Sequence, residues 1–170
     1  MKRKLTPFLA TMLLAGCGQE FEHKISDENS VICENIPRGE LSLVSAWVRP
    51  APTGQRTSAV YFTLCNQTEQ TKTVSGVSSD LAISAELHET TRDRDGVASM
   101  APLGNLPIGP GEVVTLQPGG THVMLIGLNE PIEVGDKIAL TLTFSSGVAM
   151  EIEAEARTSP AAAKNHHSHH

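Results

Sequence analysis

One strand-like segment carries a histidine and a methionine on the same side. In THVMLI, His122 and Met124 are one residue apart, so an extended chain puts both side chains on one face. Val123 and Leu125 fall on the other face, which their apolar character assigns to the core. The segment therefore predicts a strand that faces a core on one side and presents an imidazole and a thioether on the other.

A second imidazole and a second thioether lie upstream. In AELHETT, Leu87 and His88 alternate, so a buried Leu87 places His88 on the outer face. Met100 follows RDRDGVAS, in which Asp95-Gly96 is a hairpin-turn signal. Such a hairpin returns Met100 beside His88, and all four side chains are then expected near one edge of the fold.

This donor set has a chemical preference. A thioether is a soft neutral ligand and a neutral imidazole is a borderline one, so together they favour Cu(I) over Mg(II), Ca(II) and Zn(II). No sulfur has to lose a proton, and such a site fails only when its imidazoles protonate. A strand methionine more often packs in a core, and a surface histidine is usually only polar. An accidental arrangement in a non-metal module therefore remains an alternative.

The pattern of short apolar segments and turn signals predicts one all-β domain over residues 41–157. Short runs rich in Val, Thr, Leu and Ile alternate with dense turn signals, and no stretch has a helical period. In KIALTLTF the apolar residues alternate strictly with Ala and Thr. This pattern predicts a β-sandwich or barrel. The predicted strands are 41–49, 58–66, 71–79, 83–91, 112–118, 121–128, 136–144 and 148–156.

The first residues are typical of an export signal. A basic start, a short apolar run and the ending LAGC predict a lipoprotein signal peptide over residues 1–16, with Cys17 carrying lipid. An ordinary signal peptide with an unrelated Cys17 is the alternative. Residues 17–40 are then a tether. Removing three basic residues changes the formal charge from -6 to -9, which argues against a nucleic-acid partner.

The remaining cysteines and the tail also bear on metal binding. In an oxidising compartment Cys33 and Cys65 are expected to form a disulfide, and a thiolate metal pair is the alternative. Residues 158–170 predict a disordered tail, which is either native or an expression tag. A native tail offers imidazoles for Cu(II) from His166, His167, His169 and His170.

The other conspicuous residues have plainer interpretations. Trp47 is expected in the core or at its rim, and Met150 in the core. Arg49 either braces the edge of the site or is a solvated charge. The Gly119-Gly120 pair predicts a tight turn that aims His122.

The spacing of the four candidate ligands resembles a known motif. Eleven residues separate His88 from Met100, twenty-one separate Met100 from His122, and one separates His122 from Met124. This resembles the H(M)x10Mx21HxM motif of the PCu(A)C periplasmic copper chaperone family, as do the surrounding AWVRPAP, AVYFTLCN, LQPGGTHVMLIGL and GDKIALTLTF. The resemblance covers residues 41–156. The position after the first His is often Met in the family and is Glu89 here.

The resemblance implies a cupredoxin-like, Ig-like Greek-key β-sandwich that binds Cu(I) through His88, Met100, His122 and Met124. It implies copper delivery to the CuA centre of cytochrome c oxidase subunit II, alongside a Sco-type protein. The expected protein is a monomeric lipoprotein facing the periplasm, on the outer membrane if the host is Gram-negative.

Two further functions remain open. The protein could sequester or import copper through its His-rich tail, or it could be an Ig-like envelope interaction module without metal. An enzyme is not expected, because the chain has no HExxH, no G-x-S-x-G and no recognisable paired-carboxylate motif.

Overall fold

The computed structural model describes residues 33–158, and its elements there are ten β-strands. In this part of the chain no helix is long and apolar enough to cross a membrane. The strands are β1 (Leu41–Val48), β2 (Thr57–Asn66), β3 (Lys72–Ser78), β4 (Ala82–Arg92), β5 (Ala98–Pro102), β6 (Leu106–Ile108), β7 (Val113–Thr115), β8 (Thr121–Leu128), β9 (Lys137–Phe144) and β10 (Ala149–Ala156).

The strands form one sheet that closes on itself as a flattened sandwich. Their order is β5-β4-β8-β2-β1-β10-β9-β3-β6, β7 pairs with β2, and β3 also pairs with β4. The pairing of β1 with β10 is parallel. The predicted all-β architecture is confirmed, including the β4–β5 hairpin, whereas the short strand β6 was not predicted. Strand β5 stands at one end of this order, paired only with β4 among the described strands.

The core follows the alternation seen in the sequence. Ile138, Leu140, Leu142 and Phe144 of β9 are all buried on the same face. They join one continuous apolar cluster that also receives side chains from β1, β2, β4 and β8. Burial of a Leu, Ile or Phe side chain stabilises a fold by about 1.5–3 kcal/mol, so this cluster is the main source of cohesion.

Strand β1 changes face part-way along its length. Its pairing with β2 is irregular at Ser45, which adopts a positive φ of 58°. An extra residue in one strand of a pair reverses the alternation beyond it. Before this bulge Leu43 packs against the main core. After it Val48 is buried in that core, and Trp47 lies on the outer face beside Tyr61.

A disulfide holds the start of the described chain against the sheet. Cys33, which precedes β1, is bonded to Cys65 of β2, with Cα atoms 5.7 Å apart and both residues buried. Of the two alternatives for these cysteines, the structure contains the disulfide. It leaves no free thiol among the described residues.

Loss of this disulfide is expected to weaken the fold without touching the outer-face residues. The bond closes a loop with a sequence separation of 32, which corresponds to roughly 3–4 kcal/mol in the chain-entropy account. The double variant Cys33→Ala/Cys65→Ala should lower the free energy of unfolding by about that amount in a denaturant titration. An unfolding midpoint equal to that of the oxidised wild type would contradict this expectation.

Candidate metal centre

The pairing of β4 with β8 brings the two candidate imidazoles together. In its register His88 lies opposite His122, and Glu86 lies opposite Met124. In the β4–β5 hairpin Thr90 lies opposite Met100. Directly opposed residues, and residues two apart in one strand, project to the same face. The four predicted ligands therefore share one outer face of the sheet.

The opposite face of these strands is core, as the sequence predicted. Leu87, Val123 and Leu125 are buried in the main apolar cluster. Glu89, which occupies the position that is often Met in the family, is exposed and alternates with His88 to the other face of β4. It therefore points away from the face that carries the four candidate ligands.

The two imidazoles are close enough to share one ion. Their ring centroids are 6.1 Å apart with an interplanar angle of 46°. A ring nitrogen binds a first-row metal at about 2.0–2.1 Å, which leaves the ring centre roughly 3 Å from the metal. Two rings that share an ion are thus up to about 6 Å apart, and the observed distance fits a wide nitrogen–metal–nitrogen angle.

The turn before β8 orients His122. Its Nδ1 is 3.0 Å from the carbonyl oxygen of Gly120. A carbonyl only accepts, so Nδ1 is the donor and Nε2 of the neutral ring keeps its lone pair. Gly119 has a positive φ of 81°, which a side chain would disfavour. The hydrogen bond to the Gly120 carbonyl is thus the contact by which the Gly119-Gly120 turn orients His122. The His122 residue is only 6% exposed.

His88 is oriented by a carboxylate. Its Nε2 lies 3.2 Å from Oε2 of Glu86, so in the neutral ring Nε2 donates and Nδ1 carries the lone pair. That Nδ1 is buried and has no hydrogen-bond partner in the protein. An unpaired buried polar atom costs about 1–3 kcal/mol. A bound metal would satisfy this atom, so the site fits a metal better than it fits a purely structural histidine.

The thioethers border an open cleft beside the imidazoles. The cleft has a volume of about 220 Å³, and its wall includes His122, Met124 and Met100. The Met100 residue is 60% exposed, so it stands largely in solvent. His88 is not part of this wall and adjoins it through the His122 ring. The other lining residues are Arg49, Gln55, Thr57, Ser58, Ala59, Tyr61, Thr90 and Gly119.

Two aromatic rings extend the site across β2 and β1. The Tyr61 ring centroid is 6.2 Å from that of His122 and 4.4 Å from that of Trp47. Arg49 donates from Nη2 to the Tyr61 hydroxyl at 2.9 Å, and the Arg157 guanidinium lies 5.6 Å from the Trp47 ring centroid. The Tyr61 ring thus lies beside His122, and Trp47 packs against Tyr61. Arg49 braces Tyr61, in agreement with the first of its two predicted roles.

Sequence reasoning missed Glu86 and Tyr61, whereas the expectation that Trp47 lies in the core or at its rim is confirmed. Trp47 is buried, but with Tyr61 in a small separate cluster on the outer face. The spacing of Glu86 and His88, two apart in one strand, was a usable signal for a shared face. Met150 packs against the main core, away from the ligands.

Some predicted residues lie outside the described part of the chain. These are Cys17 and the four tail histidines, His166, His167, His169 and His170, whose roles stay predictions. Within residues 33–158 no group of three or more His, Cys, Asp or Glu side chains is arranged to hold a metal.

Glu86 is expected to select the tautomer of His88. Replacing it by Ala removes the acceptor of the Nε2 proton, so the preference of His88 for the Nε2-protonated form should weaken, which imidazole nitrogen NMR measures. Glu86→Gln keeps an acceptor oxygen and should preserve the original tautomer. Loss of such a partner commonly lowers metal affinity by about 10–100-fold. An unchanged His88 spectrum in Glu86→Ala would contradict this role.

Tyr61 is expected to respond to Arg49. Burial raises the pKa of Tyr61, and the nearby Arg49 charge and its hydrogen bond partly offset that rise. Arg49→Gln removes both lowering effects, so the pKa of Tyr61 should rise further. Tyr61 is the only tyrosine of the chain, so ultraviolet detection of phenolate in a pH titration reports it alone. A transition at lower pH in the variant would contradict the contact.

Comparison with known proteins identifies relatives of this chain. The profile of the family described as "Putative lipoprotein LpqE-like" matches residues 41–156. The "Putative lipoprotein Lxx21020" of Leifsonia xyli subsp. xyli is 37% identical over 102 residues, which is 60% of each chain. "Uncharacterized protein RP573" of Rickettsia prowazekii is 31% identical over 105 residues. The chain thus spans about three fifths of the length of these curated relatives.

Solved structures share the fold. The "Solution structure of CuI-DR1885" from Deinococcus radiodurans is 31% identical, covers 74% of this chain and 81% of that chain, and has a TM-score of 0.56. The "Copper-bound PCuAC domain from PmoF2" is 22% identical, covers 73% of this chain and 97% of that one, and has a TM-score of 0.61. The predicted cupredoxin-like sandwich is confirmed. Since the family match covers more than half of the chain, this protein belongs to the LpqE-like family, which is related to the PCu(A)C domains.

Proposed function

We propose that this protein binds one Cu(I) ion through His88, Met100, His122 and Met124 and carries it to a copper acceptor outside the cytoplasm. The observation that carries the proposal is the buried, unpartnered Nδ1 of His88 beside the His122 ring. Both imidazoles are held with one lone pair free, and two thioethers share their face of the sheet. This neutral, soft donor set suits Cu(I).

The Cu(I)-loaded relative supports this choice of ion. The solved structure that is 31% identical to this chain is named as a CuI form. Among the described residues both cysteines are tied in the disulfide, so a thiolate ligand of the blue-copper kind has no source there. The proposed role is transport and not catalysis, which fits the copper-binding domains among the structural neighbours.

The openness of the site favours a carrier over permanent storage. Met100 lies on the end strand β5 with 60% of its surface exposed, and the cleft reaches His122 and Met124 from solvent. An acceptor thiolate could replace such weak thioether ligands one at a time. We propose the CuA centre of cytochrome c oxidase subunit II as the destination, with a Sco-type protein as a partner. Cys17 would anchor the protein by lipid to the cell envelope, consistent with the lipoprotein names of its relatives.

Removal of both thioethers tests the metal site. The double variant Met100→Leu/Met124→Leu keeps apolar volume but deletes the soft ligands, so Cu(I) affinity should fall by on the order of 100-fold, or about 3 kcal/mol. Competition with a Cu(I) chelator under reducing conditions measures this. Met150→Leu is the matched control because Met150 packs on the core, and its affinity should equal that of the wild type. Unchanged affinity in the double variant would overturn the proposal.

A deletion strain tests the destination. If the protein supplies the oxidase, loss of its gene should lower oxidase activity when copper is limiting, and added copper should restore it. Normal oxidase activity with altered copper tolerance would favour sequestration by the His-rich tail. Absence of stoichiometric copper in the purified protein after reconstitution with Cu(I) would favour a non-metal interaction module.

A further inference from the structure

We propose that the cleft beside the metal centre is the entry port for an anionic sulfur ligand, a cysteine thiolate of the acceptor protein, and that Arg49 attracts it. This rests on the proposed function, since it describes how copper leaves the site. The wall of the cleft joins Arg49 to three of the four candidate ligands, His122, Met124 and Met100. A ligand that enters there reaches sulfur and nitrogen donors without crossing the core.

Arg49 makes the cleft positively charged. Among the described residues that line the cleft, Arg49 alone carries a formal charge at neutral pH. The chain as a whole has a formal charge of -6, so this positive spot contrasts with the rest of the molecule. A positive group at the mouth of a cleft raises the local concentration of anions and steers their approach. The cleft therefore complements a negatively charged ligand.

The position of Arg49 is well supported by contacts. Its backbone N–H donates to the carbonyl of Ala59 at 2.9 Å, and its carbonyl accepts from the Ser58 hydroxyl at 2.6 Å. Its Nη2 donates to the Tyr61 hydroxyl at 2.9 Å. A guanidinium has five N–H donors, and this residue is exposed, so donors remain for a ligand. Tyr61 stands between Arg49 and His122, which places the positive charge beside the metal centre and not on it.

One carboxylate next to the site lies outside the cleft. Glu86, whose side chain is 45% exposed, flanks His88 on β4 and is not among the residues that line the cleft. An anion close to Glu86 is disfavoured by its charge, whereas an anion inside the cleft meets Arg49.

The exchange itself is balanced without any change of oxidation state. The acceptor thiol releases its proton to solvent, and the thiolate sulfur forms a bond to Cu(I). The bonds from Cu(I) to the sulfurs of Met100 and Met124 and to the imidazole nitrogens of His88 and His122 break as ligands of the acceptor replace them, and copper leaves as Cu(I). Arg49 takes no part in bonding to copper; it stabilises the negative charge that arrives.

Small thiols of different charge test the port. The Cu(I)-loaded full chain is mixed with mercaptosuccinate, 2-mercaptoethanol or cysteamine, and transfer is followed by the fluorescence of Trp47, the only tryptophan. In Arg49→Gln the ratio of the mercaptosuccinate rate to the cysteamine rate should fall roughly threefold to fivefold, as expected for one unit charge in near-aqueous surroundings. High salt should shrink the difference between wild type and variant.

Two matched variants make the test decisive. Arg38→Gln makes the same charge change near the Cys33 end of the sheet and should keep the wild-type ratio. Arg49→Lys keeps the charge and should retain most of the wild-type ratio. If Arg49→Gln changes the transfer rates with all three thiols by the same factor, the proposed port is wrong. It is also wrong if Arg38→Gln lowers the rate ratio as much as Arg49→Gln does. Failure of the proposed function is distinct, because the protein would then hold no stoichiometric Cu(I) before any thiol is added.

Discussion

The register between β4 and β8 is the constraint on which the candidate site depends. It sets His88 opposite His122 and Glu86 opposite Met124, so one pairing positions two imidazoles, one thioether and one orienting carboxylate. Side chains alternate with a period of two, and a slip by one residue would send these groups to the core and Leu87 to solvent. The burial of Leu87, Val123 and Leu125 therefore specifies the geometry of the outer face. Core packing and ligand placement are two results of the same hydrogen-bonded ladder.

The surroundings of the site divide its tasks between different strands. Glu86 and the Gly120 carbonyl set the free nitrogens of the two rings, while Tyr61 lies beside His122 and Trp47 packs on Tyr61. Met100 comes from a hairpin at one end of the strand order and stays exposed. Two oriented ring nitrogens next to an exposed methionine fit the proposed role, in which an ion is held and then released. A fully enclosed site would hold the ion but hinder its transfer.

Much of this arrangement follows from local sequence patterns, and the rest depends on distant pairings. The alternation in THVMLI and AELHETT predicts which side chains leave the core, and Asp95-Gly96 predicts the hairpin that returns Met100. The neighbours of the site are not predictable in this way. Tyr61 meets His122 only because β2 pairs with β8, which no spacing in one segment reveals. Trp47 is buried, as expected, but its packing on Tyr61 at the outer face depends on the irregularity at Ser45, which no pattern in the sequence indicates.

The bulge in β1 has a consequence for how this strand can change over evolution. The alternation of side chains is reversed at Ser45. The first part of β1 therefore packs on the core through its odd-numbered residues, and the last part packs on it through its even-numbered residues. Deleting a single residue there would exchange the environments of Trp47 and Val48, pushing an indole into a space filled by valine. Point substitutions of the outer-face residues should perturb the fold far less, since they do not change which residues of the strand face the core. The length of β1 is therefore under tighter restraint than the chemistry of its exposed side chains.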